Sequence, residues 1–263
     1  MRNLIKAQKY QIKRDNGIIY IYLIGALYFV MFWADYLMKT GISEITGSKA
    51  ALYNGEACSI VAGLLVALLA CRIVGWDFND KTLNYELMAG HSRAKVYWSR
   101  ILVSVKWILV TVLLVLFVPM LIFGIMNGWG TDADMGGILL CHALTLFPLF
   151  RFFGICVLLT VVMRNCFMSM IIGYVLYEFS WVFAEMQALT TKVKLGVHLA
   201  STNVTRLLIP DKSGFAYIDG QDVVVYETVL EKDFILGTVG ISLLVGMGCL
   251  LIGYRYFKKC DMN

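Results

Sequence analysis

The chain is short of nearly everything from which a water-soluble enzyme is built. Only 16% of its 263 residues are charged, and only three are proline. Its three histidines, His91, His142 and His198, stand on different segments. Its seven cysteines, at 58, 71, 141, 156, 166, 249 and 260, include no Cys-x-x-Cys pair. No metal-ligand spacing arises from such a set, and the cysteines read as small apolar filler. There is no Gly-x-Ser-x-Gly, no His-Glu-x-x-His and no true phosphate loop. Gly41 to Lys49 superficially resembles a nucleotide loop, but its Ser and Lys stand in the wrong order and its spacing is too long. These absences leave no recognisable catalytic or metal-binding set. Any ATP chemistry has to come from another chain.

What is present is apolar: 59% of the residues, with a mean hydropathy of +0.73. Runs long enough to cross a bilayer core of about 30 Å fall at 18–37, 57–76, 101–126, 136–163, 166–187 and 234–254. Six spans leave no room for a separate soluble domain. The expectation is an all-α integral membrane protein with a single domain over 1–263. The first run is full length and lacks a small-residue cleavage site, so it reads as a retained span and not a signal peptide.

Lys and Arg collect on one side of this layout. Arg2, Lys6, Lys9, Lys13 and Arg14 precede the first run, Lys81, Arg93, Lys95 and Arg100 fill the second loop, and Arg255, Lys258 and Lys259 follow the last run. The positive-inside rule places both termini in the cytoplasm. The net charge of +5 is then accounted for by anionic lipid headgroups rather than by nucleic acid. Residues 1–16 read as an interfacial helix.

The second loop, 77–100, is the most informative polar interruption. Leu83, Leu87 and Met88 recur at helical spacing, Gly90 is a stop and Ser92 a new start. A short amphipathic helix at the membrane surface fits. So does a loop that only binds lipid headgroups. The run Phe78-(x)3-Thr82-Leu83-Asn84-(x)5-Gly90-His91-Ser92-Arg93-(x)3-Tyr97-(x)2-Arg100 resembles the corresponding cytoplasmic loop of type-two ATP-binding-cassette (ABC) exporter permeases of Gram-positive bacteria. Asp80-Lys81-Thr82 stands where that family commonly has a Gly-containing turn. The six-span layout and the basic N-terminal segment agree over essentially the whole chain. The resemblance implies a coupling helix docking on an ABC ATPase subunit, with Glu86, Leu87, Met88, Gly90, His91 and Arg93 as its surface. It further implies a second permease copy or a related permease, no cofactor on this chain, ATP and Mg on the partner ATPase, and a multi-pass place in the bacterial plasma membrane. The function it implies is export of a hydrophobic or amphipathic substrate, with an antimicrobial or cytolytic peptide favoured and a lipid or drug as the other classes.

Ionisable groups inside spans are costly and need a reason. Arg72 and Lys106 lie near a boundary and are expected to snorkel. Arg151 and Glu178 fall at matching depth on either side of a tight turn at Arg164-Asn165, and are expected to face one another as an ion pair or a polar element of the pathway. Tyr174, Glu178, Trp181 and Glu185 form one stripe on the fifth span. Pro148 is expected to kink the fourth span. Gly63-x-x-x-Ala67 and Ser242-x-x-x-Gly246 permit close helix approach. Residues 188–233 exceed what is needed to join two helices and read as an extracellular cap of short helices. The rival function is an ATP-independent secondary carrier or a membrane sensory or structural subunit. A membrane-embedded enzyme is the third reading, and it has no recognisable catalytic set.

Overall fold

The computed structural model describes residues 2–79, 83–190, 198–210, 212–218, 221–226, 228 and 230–259. In chain order the helices are α1 (Arg2–Arg14), α2 (Asn16–Thr40), a 3-10 turn (Ile42–Glu44), α3 (Gly47–Asn79), α4 (Leu83–Met88), α5 (Arg93–Asn127), α6 (Met135–Met163), α7 (Cys166–Thr190) and α8 (Ala200–Leu208). Strands β1 (Lys212–Ile218) and β2 (Gln221–Tyr226) and helix α9 (Lys232–Lys259) follow. Among the described residues six helices, α2, α3, α5, α6, α7 and α9, are long and apolar enough to cross a membrane. They coincide with the six expected runs, and the chain is a multi-pass membrane protein by this measure.

Their boundaries follow from local chemistry. Asp15 caps α2 by accepting from the Gly17 N–H at 2.8 Å, and Asp134 caps α6 by accepting from Gly137 at 2.7 Å. Helix α6 ends at Arg164, which adopts the left-handed conformation (φ 52°). The Asn165 side chain accepts from the Met168 N–H, so the tight turn expected at 164–165 is present. Helices α3 and α5 have 33 and 35 residues, roughly 50 Å each at about 1.5 Å per residue. Both overshoot the hydrocarbon thickness, and α3 begins ten residues before its apolar run.

Helix α3 is the innermost span, packing against α2, α5, α6, α7 and α8. The main core runs from Leu4 through Val66, Leu69 and Val96 to Phe153 and Phe257. Helices α2, α7 and α9 present apolar exteriors such as Leu23, Met31, Ile171, Phe179 and Leu244, the surface a lipid-facing helix needs. Close approaches use the expected small residues, and both motifs act within the chain. A Cβ on Gly63 would fall 2.3 Å from the Tyr177 ring of α7. A Cβ on Gly154 of α6 would fall 2.6 Å from the Gly246 carbonyl of α9.

One part of the cap expectation needs correcting. The membrane part is helical, but the 188–233 segment is not a set of short helices alone. It holds α8 and an antiparallel β1–β2 hairpin, registered from Lys212 opposite Tyr226 to Ile218 opposite Gln221. The Tyr226 N–H donates to the Asp132 carbonyl, joining the hairpin to the α5–α6 connection. The Thr228 side chain lies against Gly137.

Candidate functional site

Helix α4 sits at one end of the bundle, in the interval between α3 and α5. Gly90, at φ 83°, ends it, and Ser92 then caps α5 by accepting from the Lys95 N–H. The stop and the start are where the sequence puts them. Leu83 is buried, Leu87 half-buried against the main core, and Tyr85 and Met88 are 70% and 79% exposed. The corner is held by charge. Arg100, on the first turns of α5, donates from Nε and Nη2 to Asp77 of α3 at 2.9 and 2.6 Å, and its Nη1 lies 3.0 Å from Glu86 Oε2 of α4. One buried guanidinium thus ties three helices. The end of α9 closes the same corner: Phe257 packs edge-on to Phe78, Tyr97 donates to the Leu250 carbonyl at 2.7 Å, and Arg93 donates to the Lys258 carbonyl at 2.8 Å.

The six residues expected to form a docking surface therefore divide. Met88 and Gly90 are exposed and His91 is half-exposed. Glu86 is turned inward to Arg100, Leu87 packs on the core, and Arg93 reaches α9. The sequence reading missed Tyr85, whose exposure follows from its place on the helix face opposite the buried Leu83 and the half-buried Leu87. It also missed Arg100 and Asp77, whose only signal was opposite charge at the two ends of one loop. Asp80, Lys81 and Thr82 lie outside the described residues.

Beside this corner, α1 packs on α5 through Leu4, Gln8 and Ile12, with Gln8 donating to Ser99 at 3.2 Å. Asp15, between α1 and α2, receives a bidentate pair from Arg72 at 2.8 and 2.6 Å, and the guanidinium stacks 3.3 Å from the Trp76 ring centroid. Partial burial pushes the Asp15 carboxyl up, but the bonds from Arg72 and the Gly17 N–H outweigh it and hold the group below the usual carboxylate range. Arg72 is thus ion-paired instead of snorkelling free. Lys106 is exposed, as a snorkelling lysine is. A mixed polar and apolar cavity of about 550 Å³ opens among Gln8, Arg14, Asp15, Arg72 and Trp76.

The intramembrane pair is corrected. No ion pair joins Arg151 to Glu178. Equal depth did not bring them face to face, since Arg151 lies against α9 and Glu178 beside Tyr174 and Tyr177 of its own helix. Glu178 lies near Tyr174 and Tyr177, and Tyr177 donates to the Ser59 carbonyl of α3. Arg151 is buried where α6 meets α9, its Cα beside Gly246. Trp181 is exposed, and the Glu185 side chain lies outside the described residues. The stripe from Tyr174 to Trp181 is therefore not one buried face. Near the hairpin end His198 stacks on Phe234. Burial first, and then the Arg151 and Arg206 charges, hold its imidazole below the usual range.

Among the described residues no cluster of three or more His, Cys, Asp and Glu could hold a metal. No known protein family, curated protein or solved structure matches the chain.

Proposed function

We propose that the chain is the permease subunit of an ABC exporter in a bacterial plasma membrane, paired with a second permease and two ATPase subunits, with both termini cytoplasmic. The observation that carries this reading is the α4 corner. A short helix displays Tyr85 and Met88 to solvent while Arg100 fixes its base to α3 and α5. An exposed apolar tip on a fixed base suits a groove on a soluble partner. ATP and Mg²⁺ belong to that partner, whose closure would push the corner and tilt the long α3 and α5. The cargo class is hydrophobic or amphipathic, with a peptide favoured.

The test is co-purification of the tagged full-length chain from its native host in mild detergent, beside the Tyr85→Glu/Met88→Glu double variant. These two side chains are exposed, so the variant keeps the Arg100 contacts and its fold. Recovery of an ATPase subunit with the wild type, and its loss with the variant, supports the proposal. A folded wild-type chain that brings no ATPase overturns it and favours an ATP-independent carrier.

A further inference from the structure

Helices α6, α8 and α9 pack together, and each buries a hydrogen-bond donor that has no partner. Arg151 of α6 is 4% exposed, and Asn203 of α8 and Ser242 of α9 are both 0% exposed. Arg151 Nη2, Asn203 Nδ2 and Ser242 Oγ have no hydrogen-bond partner. Among the described residues no carboxylate pairs with Arg151.

Their proximity follows from the packing. The Arg151 Cα lies 3.2 Å from where a Cβ on Gly246 would stand, and Thr238, Ser242 and Gly246 recur at steps of four on one face of α9. Thr238 donates to the Asn203 Oδ1 at 3.2 Å. Helices α6 and α9 run in the same direction: the α6 start lies against Thr228, and α9 ends at the α4 corner. A helical side chain leans toward its own N-terminus, which carries the Arg151 guanidinium toward the hairpin end, to the level of Ser242 and the Asn203–Thr238 contact. One turn of α9 separates those two levels, about 6 Å. Donors on either side of a single oxyanion, each about 2.8 Å from it, span the same distance.

We infer that Arg151, Asn203 and Ser242 form an intramembrane site for one oxyanion group, a carboxylate or phosphate, in the half of the bundle nearer the hairpin. A guanidinium fork, an amide N–H and a hydroxyl are all donors, so the site selects against cations. An unpaired buried guanidinium is costly, and an anion removes that cost. Arg206, lying over Phe234 at 4.5 Å, adds positive charge near the same end. The anion reaches the site either as the headgroup of an acidic lipid or as a soluble ion. This inference is independent of the ATPase reading, since the assay contains no ATPase and its failure leaves that reading untouched.

The experiment follows thermal unfolding of the purified full chain in detergent with added phosphatidylglycerol, phosphatidylcholine or inorganic phosphate. The expected result is a concentration-dependent rise in Tm with phosphatidylglycerol or with phosphate, and none with phosphatidylcholine. A response to the lipid alone names the headgroup as the source, and a response to phosphate names a soluble anion. Asn203→Asp, which supplies a carboxylate in place, is expected to keep or raise the ligand-free Tm and to abolish the response. If that variant does not fold, Ser242→Ala is expected to weaken the apparent affinity about tenfold, a change of 1.4 kcal/mol. No rise with either anion, or a rise that survives undiminished in the variant, overturns the inference.

Discussion

Two arginines at the α4 end do different work with the same group. Arg100 is 5% exposed at its side chain and holds two carboxylates. Removing it strands both in a largely dehydrated corner, which is costlier than losing the attraction alone. Arg100→Gln is expected to destabilise the chain by about 3–5 kcal/mol, read as a lowered denaturation midpoint in detergent, whereas exposed Lys106→Gln changes little. Arg72 faces Asp15 in a wetter place. Because the Asp15 carboxyl is held low in the folded chain, its contribution is present above the ordinary carboxylate value, about 3.9, and fades as pH falls through the folded value. Asp15→Asn should therefore melt earlier than wild type at neutral pH, with the gap closing in Tm scans taken below about pH 4. A gap independent of pH would assign the effect to packing.

Among elements, the spans were legible because a bilayer crossing demands a long apolar run, and no tertiary contact can replace one. Gly90 and Ser92 were legible because a helix stop and an N-cap are local chemistry. The facing of Arg151 was not. Counting residues from the Arg164–Asn165 turn gives depth, but direction depends on which helix Gly154 and Gly246 bring close. The hairpin was legible in principle: Asp219-Gly220 falls between a Phe-Ala-Tyr-Ile run and a Val-Val-Val-Tyr run, a recognised two-residue turn signal. The helical pattern of the apolar runs on either side outweighs that short signal. Helix contacts built on missing side chains are equally testable. Gly63→Val sets methyl groups where the Tyr177 ring lies, and an overpacking cost of about 1–3 kcal/mol is expected. Gly240→Val, at a position with open space around it, serves as the control in the same melt.

For the whole molecule, the membrane-length helices among the described residues number six, and an even number puts α1 and the end of α9 on one side and the β1–β2 hairpin on the other. Cysteines introduced one at a time at Tyr10 and Met126, both exposed, in a Cys260→Ser background whose six remaining cysteines are buried or half-buried, should react from opposite faces of sealed right-side-out vesicles. Met126→Cys is expected to label with an impermeant maleimide in intact vesicles, and Tyr10→Cys only after permeabilisation. The opposite pattern would invert the expected topology and contradict the cytoplasmic placement proposed for α4.

Arg100 has a consequence for the mechanics of the chain. A loop with slack absorbs a displacement by rearranging its own backbone before anything beyond it moves. Here the carboxylates on either side of 80–82, Asp77 and Glu86, are fastened to a single guanidinium. That joint behaves as a gusset plate, in which a load on α4 becomes torque on two beams of roughly 50 Å. A motion of a fraction of an ångström at the tip would then emerge, enlarged by the lever, at the far ends of α3 and α5.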